Sequence, residues 1–487
     1  MARLLALTLH NIRNIGNGEI TFETLPSGGS VTGIYGANGS GKTSVLDAIR
    51  LLRPTISGEP LPEDATELVS IGESEAELSA LFRVSVDDDE RYLKYTVVYL
   101  RTDDVLRIAR ESVCVGDSER RLGRPFVRHA VTVDDRNRLD LSPVTRWQSI
   151  VAAVDDKVAV ALGEQRASLE RRSFLFSDTF LDYLRTAAEG GMKPLAKDVQ
   201  HWLAHYPSAF AVMRELRSWA RTRMFLLSTQ HNSIVSYSLL PISVPSETGH
   251  PRELVFSMGD VNNLTDAELA DLNRSLDDFN QIMPYLVHGM TLKARNMGST
   301  VLPDGSTAYE VALMSVRDGV EVPLMHESEG VTRIVGMLAY LIRAYNDPDV
   351  LVTIDELDGG VFEYLLGEML HEFSRNAQGQ LIFTAHNLRP MERMDFPQKT
   401  IVLSTLDPDR RFIPYMTVGR TNNPRRQYIQ ALQSGGKVAD LYKCTSPQML
   451  GVGFTLAGGV DERTEQDVEH GLRSLEHVPT NDLERML

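Results

Sequence analysis

The stretch Val31-Thr-Gly-Ile-Tyr-Gly-Ala-Asn-Gly-Ser-Gly-Lys-Thr-Ser44 decides how the rest of the chain is read. It runs from an apolar strand through a glycine-rich turn into an amphipathic helix. Within it, Gly36-Ala37-Asn38-Gly39-Ser40-Gly41-Lys42-Thr43 satisfies the P-loop pattern without a mismatch. Glycines let successive backbone N–H groups curl around a phosphate with no Cβ in the way. The following helix, expected from Lys42 to about Leu52, points its positive end at the same anion. Lys42 is placed to reach the β- and γ-phosphates of a nucleotide and Thr43 to give its hydroxyl to Mg2+; Ser44 closes the nucleotide-binding set. A glycine-rich turn that only joins a strand to a helix would leave the full motif and both flanks unexplained.

A second phosphate motif lies far downstream. Val350-Leu-Val-Thr-Ile-Asp355-Glu356 is an apolar strand ending in paired carboxylates. At the carboxyl end of such a strand Asp355 orders Mg2+ and Glu356 polarises the attacking water as general base. Two further signals gain weight beside these. Ser328-Glu329-Gly330 opens a helix, offering a hydroxyl and bare N–H groups to an anion, although Ser328 as a simple N-cap explains the same residues. His386 follows the strand Gln380–Thr384, where it is placed to hydrogen-bond a γ-phosphate and sense its loss. Leu357-Asp358, next to the carboxylates, reads as a turn available for a dimer contact or as an ordinary turn into Gly359-Gly360.

The composition sets bounds. The chain has 487 residues, 42% apolar and 24% charged, long enough for two or three domains. Its net charge of −16 gives no global pull towards nucleic acid, so such contact would need a local basic patch. Arg214, Arg217 and Arg221 at helical spacing, and Arg166, Arg171 and Arg172, are candidates; a solvated basic helix face is the competing reading. Arg425 and Arg426 form a smaller cluster. Cys114 and Cys444 match no metal or redox spacing and fit inert thiols in a reducing cytoplasm, the expected location. No secretory leader opens the sequence, and no apolar run approaches the roughly 18 residues of a membrane helix, so no membrane partner is expected.

Periodicity organises the remainder. Residues 3–9 suggest an edge strand, Gly18–Phe22 a second, and residues 54–75 a loop. Glu77–Ser85, Leu93–Leu100 and Leu106–Val115 read as antiparallel strands. From about 145 to 225 the period turns helical, with Trp147, Val151, Val154, Val158 and Leu162 as one stripe and a last helix over 195–224. Thr265-Asp-Ala-Glu268 has capping-box spacing ahead of the stripe Leu269, Leu272, Leu276, Phe279 and Met283. Tyr309–Ser315 and Gly319–Leu324 form a strand pair around Arg317-Asp-Gly319. Alternating strands and helices from 331 to 404 then imply one P-loop sheet assembled from both chain ends. The expected fold is α/β: a P-loop NTPase head with a mixed sheet plus a mainly helical inserted lobe. The expected division is 1–115 and 301–457 for the two parts of the head, 116–300 for the inserted lobe, and 458–487 for an acidic tail.

The order of these motifs resembles that of an ABC-type ATPase head, in the branch that holds the SMC, RecF and OLD-like proteins. Within it the chain is most similar to AAA-family ATP-binding proteins of abortive-infection type. The resemblance rests on Leu4–Phe22, Ile34–Ile49, Val322–Leu341, Val350–Leu370 and Ile382–Arg389, about a third of the chain. It implies ATP and Mg2+ as cofactors, hydrolysis through Lys42, Glu356 and His386, and a homodimer or higher homo-oligomer. Ser328 and Gly330 of one subunit would face the nucleotide held by the other, with Asp358 at the seam. Two features depart from the pattern. Glu329 replaces a glycine close to a phosphate, and no glutamine precedes Gln148, so the usual Q-loop residue is missing.

The function so implied is an ATPase head that drives or gates a partner in anti-phage defence or DNA maintenance. The alternative is a slowly hydrolysing ATP-bound sensor or scaffold that holds a separate toxin or nuclease. Phage-defence ATPases of the PARIS type, which guard a Toprim effector, resemble this arrangement. Asp407-Pro-Asp409 is better read as a turn between strands than as a Toprim site in this chain. A small-molecule kinase is a weaker reading, because it leaves Ser328, Gly330 and His386 without a role.

Overall fold

The computed structural model describes residues 1–434 except 88, 103–104, 132–139, 154–156, 189–196, 204–208, 228–238, 245–251, 302–304, 306 and 416–422; beyond 434 it describes Leu450 and Phe454. The expected acidic tail and Cys444 lie outside these residues.

The P-loop strand Ser30–Tyr35 is buried at all six positions, which is why it shows no polar alternation. It lies inside a six-stranded sheet. The spatial order is Phe412–Pro414, Ile401–Ser404, Ser30–Tyr35, Gln380–Ala385, Leu351–Ile354, Met224–Leu227. All neighbours are parallel except the Phe412–Pro414 edge. The carboxyl ends of Ser30–Tyr35, Gln380–Ala385 and Leu351–Ile354 therefore open on one rim. That rim is where ligands bind in open α/β sheets.

A seven-stranded antiparallel sheet stands beside it, in the order Ile15–Thr21, Ala2–Ile12, Glu75–Val86, Asp89–Thr102, Val105–Gly116, Val127–Ala130, Asp140–Ser142. The first strand is thus not the edge: Ala2–Ile12 pairs on both sides, and Ile15–Thr21 takes the edge. The P-loop helix runs Lys42–Ser57, past the expected end, with Pro54 inside it and Gly58 as a left-handed C-cap. Residues expected as a loop continue as the 3-10 turn Glu63–Leu68. Burial of Ile56, Leu61, Ala65 and Leu68 outweighs the local Pro and Gly signals.

The segment expected as an inserted helical lobe shares the core of the head. Its helices are Val144–Ala153, Lys157–Leu169, Asp178–Ala188, Lys197–Leu203 and Ala209–Thr222. In the stripe, Trp147 is buried as expected, but Leu162 is exposed and Val160 is buried instead. Edge-on and stacked aromatic pairs tie the helices together and to the antiparallel sheet: Phe126 on Trp202 at 5.3 Å, Tyr95 on Phe176 at 5.1 Å, Phe82 on Trp219 at 6.0 Å. The chain then supplies Met224–Leu227 as an edge strand of the P-loop sheet. The expected 300/301 boundary falls in the strand pair Thr291–Val301 and Thr307–Arg317 rather than at a seam.

Other local signals match their elements. Thr265 and Glu268 form a reciprocal capping box on the helix Asp266–Phe279. Asp318 and Gly319 both take left-handed backbone at the tip of the Arg317 turn. Asp407–Asp409 is a turn between Ile401–Ser404 and Phe412–Pro414. Among the described residues no helix is long and apolar enough to cross a membrane.

Candidate functional site

The three strand ends converge on a cleft of about 520 Å³ whose lining includes Asn38, Gly39, Lys42, Thr43, Glu356 and His386. The loop is shaped by its glycines. Gly39 and Gly41 hold φ of +76° and +90°, in the left-handed region that side chains avoid, and a Cβ on Gly39 would meet nothing within 4 Å. Gly36 answers to packing instead: a Cβ there would lie 2.1 Å from Ser404 Oγ. Lys42 Nζ donates to the carbonyls of Gly36 and Ala37, at 3.0 Å each. Burial lowers its pKa, against the pull of Asp355, Glu356 and Asp358. The ammonium thus lies across the loop, facing the space a phosphate would take.

The carboxylates approach from the facing strand. Thr43 Oγ1 donates to Asp355 Oδ1 at 3.3 Å, and Thr384 Oγ1 to the same oxygen at 2.5 Å. Thr384 Oγ1 also accepts from Glu356 N at 2.8 Å. Glu356 itself takes a left-handed φ of 50°. Its Oε1 stands 3.9 Å from His386 Nε2, both side chains being nearly half exposed to the cleft. A hydroxyl beside a carboxylate at the loop mouth is a hard-oxygen donor set that fits Mg2+ bound with a nucleotide's phosphates.

Residues outside the motifs complete the frame. Asn14 Nδ2 donates to the carbonyl of Gly39, and Ser44 Oγ donates to Asn14 Oδ1 at 3.1 Å. Arg13 pairs with the buried Asp47 of the P-loop helix at 3.0 Å. Arg13 and Asn14 sat in the quoted N-terminal stretch, yet no motif assigned them a task. Thr384 and Arg333 carry no motif either: Thr384 bonds the Asp355 carboxylate and Glu356 N, and Arg333 the carbonyls of Asp355 and Glu356, contacts that leave no pattern in sequence.

Ser328, Glu329, Gly330 and Asp358, expected at a contact with a second subunit, do not line this chain's own cleft. Ser328 and Glu329 are exposed. Ser328 N-caps the helix Glu329–Asn346, accepting from Val331 N. Glu329 stands in the first turn of that helix, where a carboxylate complements the positive helix end. Gly330 is wedged on the carboxylate loop, where a Cβ would meet Gly360 O at 2.2 Å. Asp358 Oδ2 accepts from the backbone N–H groups of His386 and Asn387, at 2.9 and 2.6 Å. It braces the His386 turn within its own chain.

The arginine clusters are engaged. Arg217 and Arg221 donate to Ser57 O at 3.2 and 2.9 Å, and Arg172 reaches Gly58 O at 3.4 Å. They close the carbonyl end of the P-loop helix. Arg217 also pairs with Asp178 at 2.6 Å, and Arg166 with Glu170 at 2.8 Å. Arg172, Arg217 and Arg221 are therefore committed to the end of the P-loop helix, whereas Arg166 and Arg214 stay exposed on their helix faces. Cys114 is half-buried, and burial raises its thiol pKa, in line with an inert side chain.

Comparison with known proteins agrees with this geometry. Residues 6–103 match the family described as an AAA domain. A 137-residue stretch is 35% identical to the DNA replication and repair protein RecF of Deinococcus radiodurans, covering 26% of this chain and 36% of RecF. The chain thus spans about a third of that relative's length. Among solved structures, the Smc head domain of Pyrococcus furiosus bound to the C-terminal domain of ScpA superposes with a TM-score of 0.40 at 14% identity, over 89% of this chain and 99% of that one. The SMC head domain from Thermotoga maritima gives 0.37 at 14% identity, over 85% and 100%. Those superpositions are too loose to add to what the strand order shows. The two sequence matches are partial likenesses, to an AAA domain and to a stretch of RecF.

Proposed function

We propose that the chain binds MgATP in this cleft and hydrolyses it. The observation that carries the reading is the meeting of Lys42, Thr43, Asp355, Glu356 and His386 on one rim, although they come from opposite ends of the chain. Lys42 and the loop N–H groups would hold the phosphates. Thr43 and Asp355 would hold Mg2+, which supplies charge neutralisation on the β- and γ-oxygens. Glu356 would take the proton of the attacking water, and His386, 3.9 Å away, would report the state of the γ-phosphate.

The exposed Ser328 turn, outside its own chain's cleft, is available to the nucleotide of a second copy. We therefore read the working unit as a nucleotide-bridged homodimer that drives or gates a partner in DNA maintenance or anti-phage defence. The RecF likeness favours the first setting. Glu329, exposed on the same turn, favours slow cycling, and so keeps the second reading of an ATP-bound sensor that holds a separate toxin or nuclease effector.

Steady-state phosphate release from wild type and Glu356→Gln, at matched nucleotide occupancy, tests hydrolysis. The expected outcome is a loss of about 10²-fold or more in the variant with nucleotide binding retained. Equal rates would sink the proposal.

A further inference from the structure

Arg333 lies in the second turn of the helix Glu329–Asn346 and is 6% exposed. Burying a guanidinium is costly unless its donors are engaged. Here Nη2 donates to two consecutive carbonyls, that of Asp355 at 3.2 Å and that of Glu356 more closely. Both belong to the loop that presents the hydrolytic carboxylate. Glu356 carries a left-handed φ of 50°, a conformation a non-glycine residue holds only when its surroundings enforce it. Gly359 N closes the same loop by donating to Glu356 O at 2.9 Å. The surrounding glycines leave room for the guanidinium and its helix. A Cβ on Gly359 would lie 2.5 Å from Arg333 Nη1, and one on Gly330 would lie 2.2 Å from Gly360 O.

We infer that Arg333 is a positioning residue: it locks the left-handed turn at Glu356 and ties it to the helix that Ser328 caps. Chemistry is not its task, because its Nη2 is engaged by backbone oxygens and the side chain does not line the cleft. The consequence is a rigid link within one chain. A ligand that settles on the Ser328 turn shifts the helix, and Arg333 carries that shift to Glu356. The inference rests on the proposed hydrolytic role of Glu356 for its effect on rate, but not for its effect on the loop.

Two measurements test it on the full chain. In Arg333→Met, turnover is expected to fall roughly tenfold or more while the affinity for a fluorescent ATP analogue stays within about threefold, since the carboxylate is displaced and Lys42 is not. Arg333→Lys should recover part of the rate by donating to one carbonyl. Gly359→Ala displaces the guanidinium without removing it and should slow turnover too. The double variant Arg333→Met/Gly359→Ala should be no slower than Arg333→Met, as expected when both changes act through one contact. Hydrogen exchange supplies a readout independent of hydrolysis: amides 355–360 should exchange at least about tenfold faster in Arg333→Met, with the P-loop helix unchanged. Unchanged exchange at 355–360, or a loss of nucleotide affinity that matches the loss of rate, would overturn the inference. A wild type as slow as Glu356→Gln would instead overturn the hydrolytic reading, and the exchange result would still decide the role of Arg333.

Discussion

Thr43 Oγ1 and Asp355 Oδ1 lie 3.3 Å apart although 312 residues separate them in sequence. The hydroxyl follows the P-loop, and the carboxylate follows the strand Leu351–Ile354, two places away from Ser30–Tyr35 in the same sheet. That pair joins the two halves of the proposed phosphate site. Thr43→Val keeps the side-chain shape and removes the hydroxyl. It should abolish the gain in ATP affinity that Mg2+ confers while leaving Mg2+-free binding within about twofold, since the remaining loop donors are untouched. Titration with a fluorescent nucleotide in Mg2+ and in EDTA checks this.

Gly36→Ala should destabilise the fold rather than merely weaken phosphate binding. Its Cβ would collide with Ser404 Oγ at 2.1 Å and Ser40 Oγ at 2.7 Å, in a spot where the two serines already bond each other. Overpacking of that kind costs about 1–3 kcal/mol, read from the denaturation midpoint. Gly39→Ala, which meets no neighbour but forces a left-handed alanine, should cost less, about 1 kcal/mol.

Glu329→Gly should strengthen ATP-dependent self-association in a Glu356→Gln background. In the proposed dimer the exposed Glu329 carboxylate approaches a phosphate, and like charges oppose closure. A tightening of about tenfold is expected by light scattering with and without MgATP. No change would mean that Glu329 points away from the nucleotide.

A buried triad is expected to contribute to the loss of stability at alkaline pH. His129 is 3% exposed, with Nε2 2.8 Å from Glu164 Oε1 and Nδ1 3.7 Å from Glu111 Oε2. Burial pulls its pKa down, but the two carboxylates outweigh that and hold it at about 9. The folded value lies above the unfolded one near 6.5. The stabilisation is therefore complete below about pH 6.5 and is lost as pH rises through 9. Arg107, Arg171 and Arg172 line the same pocket. Denaturant midpoints should fall between pH 6.5 and 9 by an amount on the order of 2 kcal/mol, and this slope should flatten in His129→Gln.

Arg217→Ala with Arg221→Ala should act on the fold and not on nucleic acid. Both side chains donate to Ser57 O at the carbonyl end of the P-loop helix. Their loss leaves the Ser57 carbonyl without these two donors, at a cost of about 1–3 kcal/mol. DNA affinity and its salt dependence should be unchanged. A reduced salt slope would restore the basic-patch reading.

Much of the site was legible because phosphate chemistry demands particular residues at short spacing. Gly36–Thr43 and Asp355-Glu356 could be recognised without a fold, and the strand–turn–helix pattern located their rim. Arg333, Thr384 and Asn14 could not, because each works on groups that only folding brings close. The basic clusters misled for a related reason. Charge spacing marks a helix face, but not that the face closes on the end of another helix.

By itself, the sequence determined that a P-loop pattern, an apolar strand ending in paired carboxylates and an α/β sheet were present, since local propensity and side-chain chemistry suffice for those. Only the tertiary structure decided which strands adjoin. It placed Met224–Leu227, from the supposed insertion, in the P-loop sheet, and it packed the aromatic helices onto the antiparallel sheet. The physical reason is that apolar burial is non-directional: it states that a strand or helix must be covered, while long-range packing selects what covers it.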